Sequence, residues 1–502
     1  MTMPNHIAAN EGTSSTIAKA FVALFFVLAM LPFALMPCMS DDTSAEKRDL
    51  APWPSLVTEE GRPNVSIVSD VGAWFEDHFA GRTQLVDLDA TIKESLFMTS
   101  ATDNVIVGSD GWLYYAGTLN DYRRAHPLSD RALDNIACNL ALIERQLRAQ
   151  GKGFAFAVAP NKNTLYPEHM PYYEVSGTGP SDLERLVPLL EQHGVSYVNL
   201  VDALSGSDHS LYLRRDSHWS NEGARLGASA ILEALGHHVE TLGGDEVINS
   251  KEHVGDIDIM LHPVSAQGEV QKLWIDSLGW TYVDDATSVE DAHIETVADT
   301  PVIYGDVVVY RDSFGNALLP YLASVYEHGL FTKMVPYDMS ATTLSAASDV
   351  IVERAERHLS FFNSDPPYLA APVCEGVVPE GAEDTMSTMT TYENGPYLVF
   401  EGDLERAYAD DGTPIYISVD LPDGSTKCFE AFHVGPSLES TVDQAGGQEG
   451  STSGVTTDWG FRAYVSKESV GGSVPHEASV IVFRGGVPTV ALDQEVTIGG
   501  TQ

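Results

Sequence analysis

Residues 307–319, VVVYRDSFGNALL, decide the fold. Val307 to Tyr310 are β-branched or aromatic and spell a short buried strand. Asp312-Ser313-Phe314-Gly315 follows as a turn. From Asn316 to His328 the spacing becomes helical: Leu318, Leu319, Leu322 and Val325 share one face, with Pro320 in the first turn. A serine between a buried strand and a helix stands near the positive end of the helix dipole, where backbone N–H groups can face a developing oxyanion. Serine is also a preferred helix N-cap, so this stretch alone leaves two readings open. A second stretch, RRDSHW at 214–219, sets a carboxylate (Asp216) and an imidazole (His218) two residues apart.

Around both stretches the pattern alternates between strand and helix. Ser129 to Gln150 is amphipathic, with Ser129 as its N-cap and Gly151 as its stop. Phe154–Ala159 reads as a strand, Ser181–His193 as a helix, Val195–Leu200 as a strand and Asn221–Leu235 as a helix. Phe331–Tyr337 and Val350–Glu353 read as later strands, and residues 240–300 as an insertion. Further upstream, Ile67–Thr99 looks mainly helical and VIVGSDGWLYY at 105–115 reads as a hairpin. The alternation predicts an α/β fold, a parallel sheet covered by helices on both faces. Ligands bind such sheets at the carboxyl ends of the strands. Ser313, Tyr337 and the loop carrying Asp216 and His218 each follow a predicted strand.

The pattern changes near Asn363-Ser-Asp-Pro-Pro367. Short alternating runs at 397–400, 415–419, 461–465, 480–483 and 490–492, separated by Gly- and Asp-rich turns, predict a small C-terminal β-sandwich over 385–502. Gly446–Gly454 reads as a flexible loop. Trp459, Tyr464, Tyr392 and Tyr397 either stack on sugar rings or fill the sandwich core.

At the other end, Ala20–Met39 is a twenty-residue run without charge, long enough to span a bilayer. No A-x-A-like site marks a cleaved signal, and Met36-Pro37 before Cys38 do not suit a lipoprotein, so an uncleaved anchor fits best. This gives a short tail (1–18), an anchor (19–39), a polar, proline-rich linker (40–66) and a main domain (67–368), with the acidic bulk most simply outside the membrane.

The net charge of −44 argues against nucleic-acid binding and against docking on anionic lipid through a basic surface. None of the four cysteines has metal-site spacing, and Cys138 reads as a buried thiol on an apolar helical stripe. Cys374 and Cys428 are either free or disulfide-bonded.

Serine needs a base within hydrogen-bond reach to become a nucleophile, and a carboxylate can fix that base's tautomer. His218 and Asp216 are candidates for these two tasks. They read equally as a loop histidine beside Trp219 and a turn residue paired with Arg214 or Arg215. Cations are few, yet Arg214 and Arg215 adjoin Asp216, Arg311 precedes Asp312-Ser313 and Arg123-Arg124 follow the 105–115 hairpin, which suits a carboxylate-bearing sugar or ordinary ion pairing.

DSHW-x-x-x-GA followed by RDSFGNALLPYL resembles the AlgX/AlgJ-like group of alginate O-acetyltransferases, the DHHW proteins of the SGNH hydrolase-like superfamily. EKRDLAPWP (46–54), FEDHFAGR (75–82), VIVGSDGWLYY (105–115), PNKNTLYPEHMP (160–171) and VIVERAERHL (350–359) match in family order, and the set covers about residues 45–362. The resemblance implies a permuted SGNH-hydrolase-like fold with Ser313 as nucleophile, His218 as base and Asp216 as its orienting acid. It implies acetyl transfer to hydroxyls of an extracytoplasmic polysaccharide through a serine acetyl ester. No cofactor or metal is needed, and acetyl arrives from a membrane-bound partner. Tyr337 and the Ser313 N–H are its oxyanion candidates. Asn161, Lys162 and Tyr166, on a strand-end loop, read as substrate-wall residues or as ordinary surface-loop residues, and Arg215 and Arg311 complete the candidate substrate-binding set. Glu353-Arg354 stand where ordinary SGNH enzymes carry an asparagine. A glycan acetylesterase with the same triad and a non-catalytic glycan-binding protein are the rival readings.

Overall fold

The computed structural model describes residues 11–36, 50–58, 61–175, 177, 179–240, 242–244, 246–274, 278–383, 385–436, 455–472, 474–475 and 477–498. The tail to residue 10, Cys38, the linker as far as Asp49 and the loop at 446–454 lie outside them. Residues 1–107 with 254–267 form one compact unit, and 108–253 with 268–502 another.

The first unit carries helices α1 (Glu11–Leu35), α2 (Ile67–His78) and α3 (Arg82–Ile92). Residues 18–35 of α1 are long and apolar enough to cross a membrane, and their apolar side chains are exposed. The helical run expected from 67 to 99 is broken at Gly81, whose φ of 78° suits glycine.

The second unit is built on a seven-stranded sheet. Its strands are β1 (Gly153–Ala159), β2 (Tyr197–Val198), β3 (Trp280–Tyr282), β4 (His293–Ala298), β5 (Ile303–Tyr310), β6 (Tyr326–Thr332) and β7 (Ala347–Ala355), in the order β2-β1-β7-β5-β6-β4-β3. The first five of that order run parallel. β4 and β3 extend the sheet antiparallel, so the 240–300 segment supplies an edge that the sequence pattern left unassigned.

Period-2 alternation explains why β1, β5 and β7 read as continuous apolar runs: both of their faces are buried. Phe154, Phe156, Val158, Val308, Tyr310, Val350 and Val352 pack toward α4 (Asp130–Ala149) and α5 (Asp182–His193). Ala155, Ala157, Ala159, Val307, Val309 and Ile351 pack toward α6 (Asn221–Ala234) and α7 (Gly315–Ala323). The side chain of Ser129 caps α4, accepting the Ala132 N–H at 2.9 Å. Ser181 and Glu184 form a reciprocal capping box on α5.

One boundary differs from the sequence reading. α7 stops at Ala323 and β6 begins at Tyr326, inside the stretch expected to be helical to His328. Val325 matched the helical face but is buried just before the strand. Gly329 hides the strand's alternation; a Cβ there would come within 2.8 Å of Thr296 Oγ1 on β4 and 2.6 Å of the Phe331 ring.

The C-terminal region is all β. Strands β8 (Thr388–Asn394), β9 (Tyr397–Asp403), β10 (Ile415–Asp420), β11 (Thr426–Val434), β12 (Gly460–Ser466), β13 (Glu477–Arg484) and β14 (Val487–Glu495) join in the order β14-β13-β10-β11-β12-β9-β8. β11 is shared: residues 426–431 pair with β10 and 432–434 with β12. The two halves enclose one core containing Phe400, Ile417, Phe429, Phe461 and Val480. Cys374 and Cys428 face each other in register and are free thiols. Tyr397 and Tyr464 are buried against the α4 side of the main sheet, Tyr392 packs beside them, and Arg131 lies over the Trp459 ring at 4.2 Å. These aromatics are packing residues rather than a sugar-binding face.

Candidate active site

The parallel strands end on one edge of the sheet, and the two stretches that opened the sequence reading meet there. Ser313 follows β5 in a turn held by its neighbours. Asp312 accepts the Phe314 N–H at 2.9 Å through one carboxylate oxygen. Its other oxygen accepts the Ala355 N–H at 2.8 Å and faces His358 Nδ1 at 3.1 Å. Burial raises the Asp312 carboxyl, but His358 and the adjacent arginines outweigh it and hold the group far below the usual carboxylate range. Gly315 is required by space: a Cβ would stand 2.5 Å from Arg311 Cβ and 2.9 Å from a Glu353 carboxylate oxygen.

Ser313 does not cap α7. The N-cap position is Phe314, without a side-chain cap bond, and the serine hydroxyl instead lies 2.8 Å from His218 Nε2. His218 Nδ1 lies 2.7 Å from Asp216 Oδ1, which also accepts the His218 backbone N–H at 2.8 Å. The two-residue spacing thus turns a carboxylate back on its own loop to hold both ring and backbone.

That loop is fastened from several sides. The Lys162 ammonium donates to the carbonyls of Leu213, Arg214 and Asp216 at 3.0, 2.9 and 2.6 Å. The Glu269 carboxylate accepts the N–H groups of Arg214 and Arg215 at 2.9 and 2.7 Å. Trp219 Nε1 donates to the Phe314 carbonyl at 3.1 Å, tying the histidine loop to the serine turn, and the two rings meet edge to face at 5.2 Å. A second imidazole completes the arrangement: His253 Nε2 lies 2.7 Å from Asp216 Oδ2. Asp216 is 1% exposed. Burial alone would raise its carboxyl, but His218 and His253 hold it well below the ordinary carboxylate value.

The remaining sequence candidates take different places around this edge group. Lys162 is a buried prop of the histidine loop. Asn161 is buried, its N–H on Glu356 at 2.8 Å and its side-chain amide on Asp121 at 3.0 Å. The Tyr166 hydroxyl accepts the Leu211 N–H at 2.8 Å. Arg311 is fully buried, donating to the Asp291 carbonyl at 2.8 Å and to the Asn316 side chain; burial pulls its guanidinium down to about 10. Arg215 is half-buried beside Asp216 with its backbone on Glu269. Tyr337 is buried among the α4-side core, with Arg354 over its ring at 5.8 Å, and burial raises its phenol to about 12. Glu353 is fully buried, and burial pushes it well above its usual range. His253 and Glu269 carry no sequence signal, because each comes from a stretch without periodicity or motif and reaches the site only through the fold, whereas His358 lies in the VIVERAERHL motif without being singled out.

The family model described as "SGNH hydrolase-like domain, acetyltransferase AlgX" matches residues 105–292, which include Asp216 and His218 and stop short of Ser313. The probable alginate O-acetylase AlgJ of Pseudomonas aeruginosa is 27% identical over 197 residues, 36% of this chain and 48% of that protein. Its counterpart from Pseudomonas syringae pv. tomato is 24% identical over 197 residues, 37% of this chain and 48% of that protein. The chain spans about half the length of the curated relatives it matches. Among solved structures, the O-acetyltransferase domain of Pseudomonas putida AlgJ aligns at 18% identity and TM-score 0.35, covering 51% of this chain and 92% of that one. A DHHW family protein from Eubacterium siraeum aligns at 16% identity and TM-score 0.39, covering 52% and 93%. The sequence motifs, the family model and the curated relatives agree: residues 105–292 match an SGNH hydrolase-like domain, and the chain resembles the AlgX/AlgJ-like family.

Proposed function

We propose that this protein is a serine-dependent O-acetyltransferase that moves acetyl groups onto hydroxyls of an extracytoplasmic polysaccharide. One observation carries the reading: Ser313 Oγ, His218 and Asp216 form a continuous hydrogen-bonded line, 2.8 Å and then 2.7 Å. In the first step His218 Nε2 takes the Ser313 proton as the oxygen attacks the acetyl carbonyl of the donor. The imidazolium, held by Asp216, returns that proton to the leaving group, and the acetyl stays on Ser313. In the second step His218 deprotonates the sugar hydroxyl, which attacks the acetyl ester and releases Ser313 with its proton restored.

The Ser313 N–H is the proposed oxyanion donor. Its support is the turn itself: the Phe314 N–H is taken by Asp312, whereas the Ser313 N–H has no intramolecular acceptor among the described residues. Tyr337 is the weaker candidate, since its ring belongs to the α4-side core. Arg215, half-buried beside Asp216, is the cation proposed to meet an anionic sugar; Lys162 and Arg311 are buried.

The same reading has residues 19–39 as a membrane anchor, 40–66 as a linker, 67–368 as the catalytic domain and 385–502 as an accessory β domain outside the cytoplasm, with acetyl supplied by a membrane-bound partner. The apolar, exposed stretch of α1 supports the anchor. One observation favours an acetylesterase as the second reading: the His218 side chain is 23% exposed, so water reaches the base as readily as a sugar does.

The test is turnover of p-nitrophenyl acetate by the full chain, with and without oligosaccharide acceptors. Ser313-dependent acetyl on the sugar is expected. Free acetate alone, across neutral and uronic acid acceptors, would establish the esterase. Turnover unchanged in Ser313→Ala would leave a binding protein.

A further inference from the structure

A second group of reactive side chains lies in the helical layer on the α4 side of the sheet. Asp134 and Cys138 are one turn apart on α4 and project from the same face. His193 is the last residue of α5, which Gly194 ends in the left-handed conformation, φ 72°. His193 Nε2 lies 3.3 Å from Asp134 Oδ1 and 3.9 Å from Cys138 Sγ, and the three donor atoms all fall within 4.8 Å of one another.

These separations are long for hydrogen bonds between an imidazole and a carboxylate, which favour about 2.7–2.9 Å when charged. The Asp216 pairs show the short form at 2.7 Å. The 3.3 Å N···O spacing matches an edge of a tetrahedron around zinc, and the 3.9 Å N···S spacing is about 0.3 Å longer than the corresponding edge. With metal–nitrogen and metal–oxygen bonds of about 2.0–2.1 Å and a metal–sulfur bond of about 2.3 Å, the N···O edge is about 3.4 Å and the N···S edge about 3.6 Å. One imidazole nitrogen holds at most one proton and can point it at only one of two acceptors, whereas its lone pair can meet a cation that also touches both.

The surroundings fit the same purpose. The side chains of Asp134 and His193 are 10% and 15% exposed. The Gly412 N–H is donated to the second oxygen of Asp134, the kind of outer contact that orients a ligating carboxylate. A Cβ on Gly412 would stand 3.3 Å from Asp134 Oδ1 and 3.6 Å from His193 Nε2, so its bare backbone leaves that side of the group open. The nearby cations are engaged elsewhere, Arg131 with Asp411 and Arg145 with Glu430.

We propose that Asp134, Cys138 and His193 bind one divalent metal ion of the zinc type, with the fourth position left for water. Binding exchanges the thiol proton for the metal: Zn²⁺ and the Cys138 S–H give a zinc thiolate and one H⁺ released to solvent. An ordinary cysteine thiol is protonated at neutral pH, so that proton is present before the metal arrives. The ion would join α4 to α5 and, through Gly412, fasten the C-terminal β region to the helical layer. This role is independent of acetyl transfer.

The experiment titrates Co²⁺ into the metal-free full chain. The expected result is one equivalent bound, with tetrahedral d–d bands and a sulfur-to-cobalt charge-transfer band, both displaced by one equivalent of Zn²⁺. Cys138→Ser should lose the charge-transfer band, and His193→Gln the stoichiometric binding, each with an unchanged circular dichroism spectrum. Absence of the thiolate band in the wild type would overturn the proposal, as would weak octahedral binding by the acidic surface alone or a band that survives Cys138→Ser. Should the variants fail to fold, X-ray absorption of the zinc-loaded wild type decides the matter: one sulfur among nitrogen and oxygen neighbours supports the site, and an all-oxygen shell contradicts it.

Discussion

Two Asp–His pairs in this molecule use the same residue types differently. At the sheet edge, Asp216 holds His218 at 2.7 Å and the far side of that ring meets a hydroxyl, Ser313, at 2.8 Å. In the helical layer, Asp134 and His193 stand 3.3 Å apart, and a single ring nitrogen faces both the carboxylate and the Cys138 thiol. The first is a line, in which Asp216 fixes one ring nitrogen while the other faces the hydroxyl and can exchange a proton with it. The second is a cluster converging on one point, which suits a cation better than a proton. Residue identity does not separate the two; the side of the imidazole that each partner occupies does.

The largest effect should come from breaking the line. Ser313→Ala or His218→Ala is expected to lower kcat/KM for an acetyl ester by at least about 10³-fold, read by initial rates, while Cys138→Ser leaves it unchanged. Loss in Cys138→Ser as well would erase the distinction. Asp216→Asn should follow, with kcat down about 10³-fold and KM little altered, because the imidazole loses its orienting charge while the acetyl ester meets the same surface.

The comparison sharpens on carboxyl groups without an imidazole. Glu356 is buried, accepting the Asn161 N–H and the Thr164 hydroxyl among the described residues, and burial raises it from 4.5 to about 7. The folded state therefore binds its proton more tightly than the unfolded chain does. Stability from this group is fully present below about pH 4.5 and is lost as pH rises through about 7, on the order of 3 kcal/mol in total. Glu356→Gln should flatten the fall in urea midpoint between pH 5 and 8. An identical slope in the variant would show that the carboxyl is not the source. Asp216, held low by two imidazoles, should add no such slope in this window.

The smallest effect belongs to His253, which touches Asp216 and not the reacting atoms. His253→Ala should lower kcat about tenfold with KM unchanged, and His253→Gln, which keeps a donor for Asp216 Oδ2, should recover most of it. A change in KM, or no recovery by glutamine, would place His253 outside this positioning role.

Much of the fold was legible because its signals are local. The buried strand of 307–310, the capped helices beginning after Ser129 and Ser181, and the short alternating C-terminal runs follow from period, caps and turn residues. Misreadings arose where two periods overlap: Val325 fits a helical face while belonging to the approach to β6, and Gly329 masks that strand. β8 and β11 were missed because Thr388–Asn394 and Thr426–Val434 mix charge with apolar residues. At the edge site, RRDSHW and RDSFG exposed their chemistry through spacing. Lys162 and Arg311 were read as facing a substrate because charge says nothing about burial, and each instead satisfies backbone carbonyls. His253 and Glu269 carry no spacing rule, and a search for cysteine pairs passes over Asp134, Cys138 and His193.

The most direct test of the account is covalent. The full chain would be quenched during turnover of an acetyl ester, and its peptides mapped by mass spectrometry. The account predicts a single acetyl group on the peptide carrying Ser313, absent from His218→Ala and discharged when an acceptor sugar is added. Acetyl found on another residue, or Ser313 unmodified while the ester turns over, would contradict it.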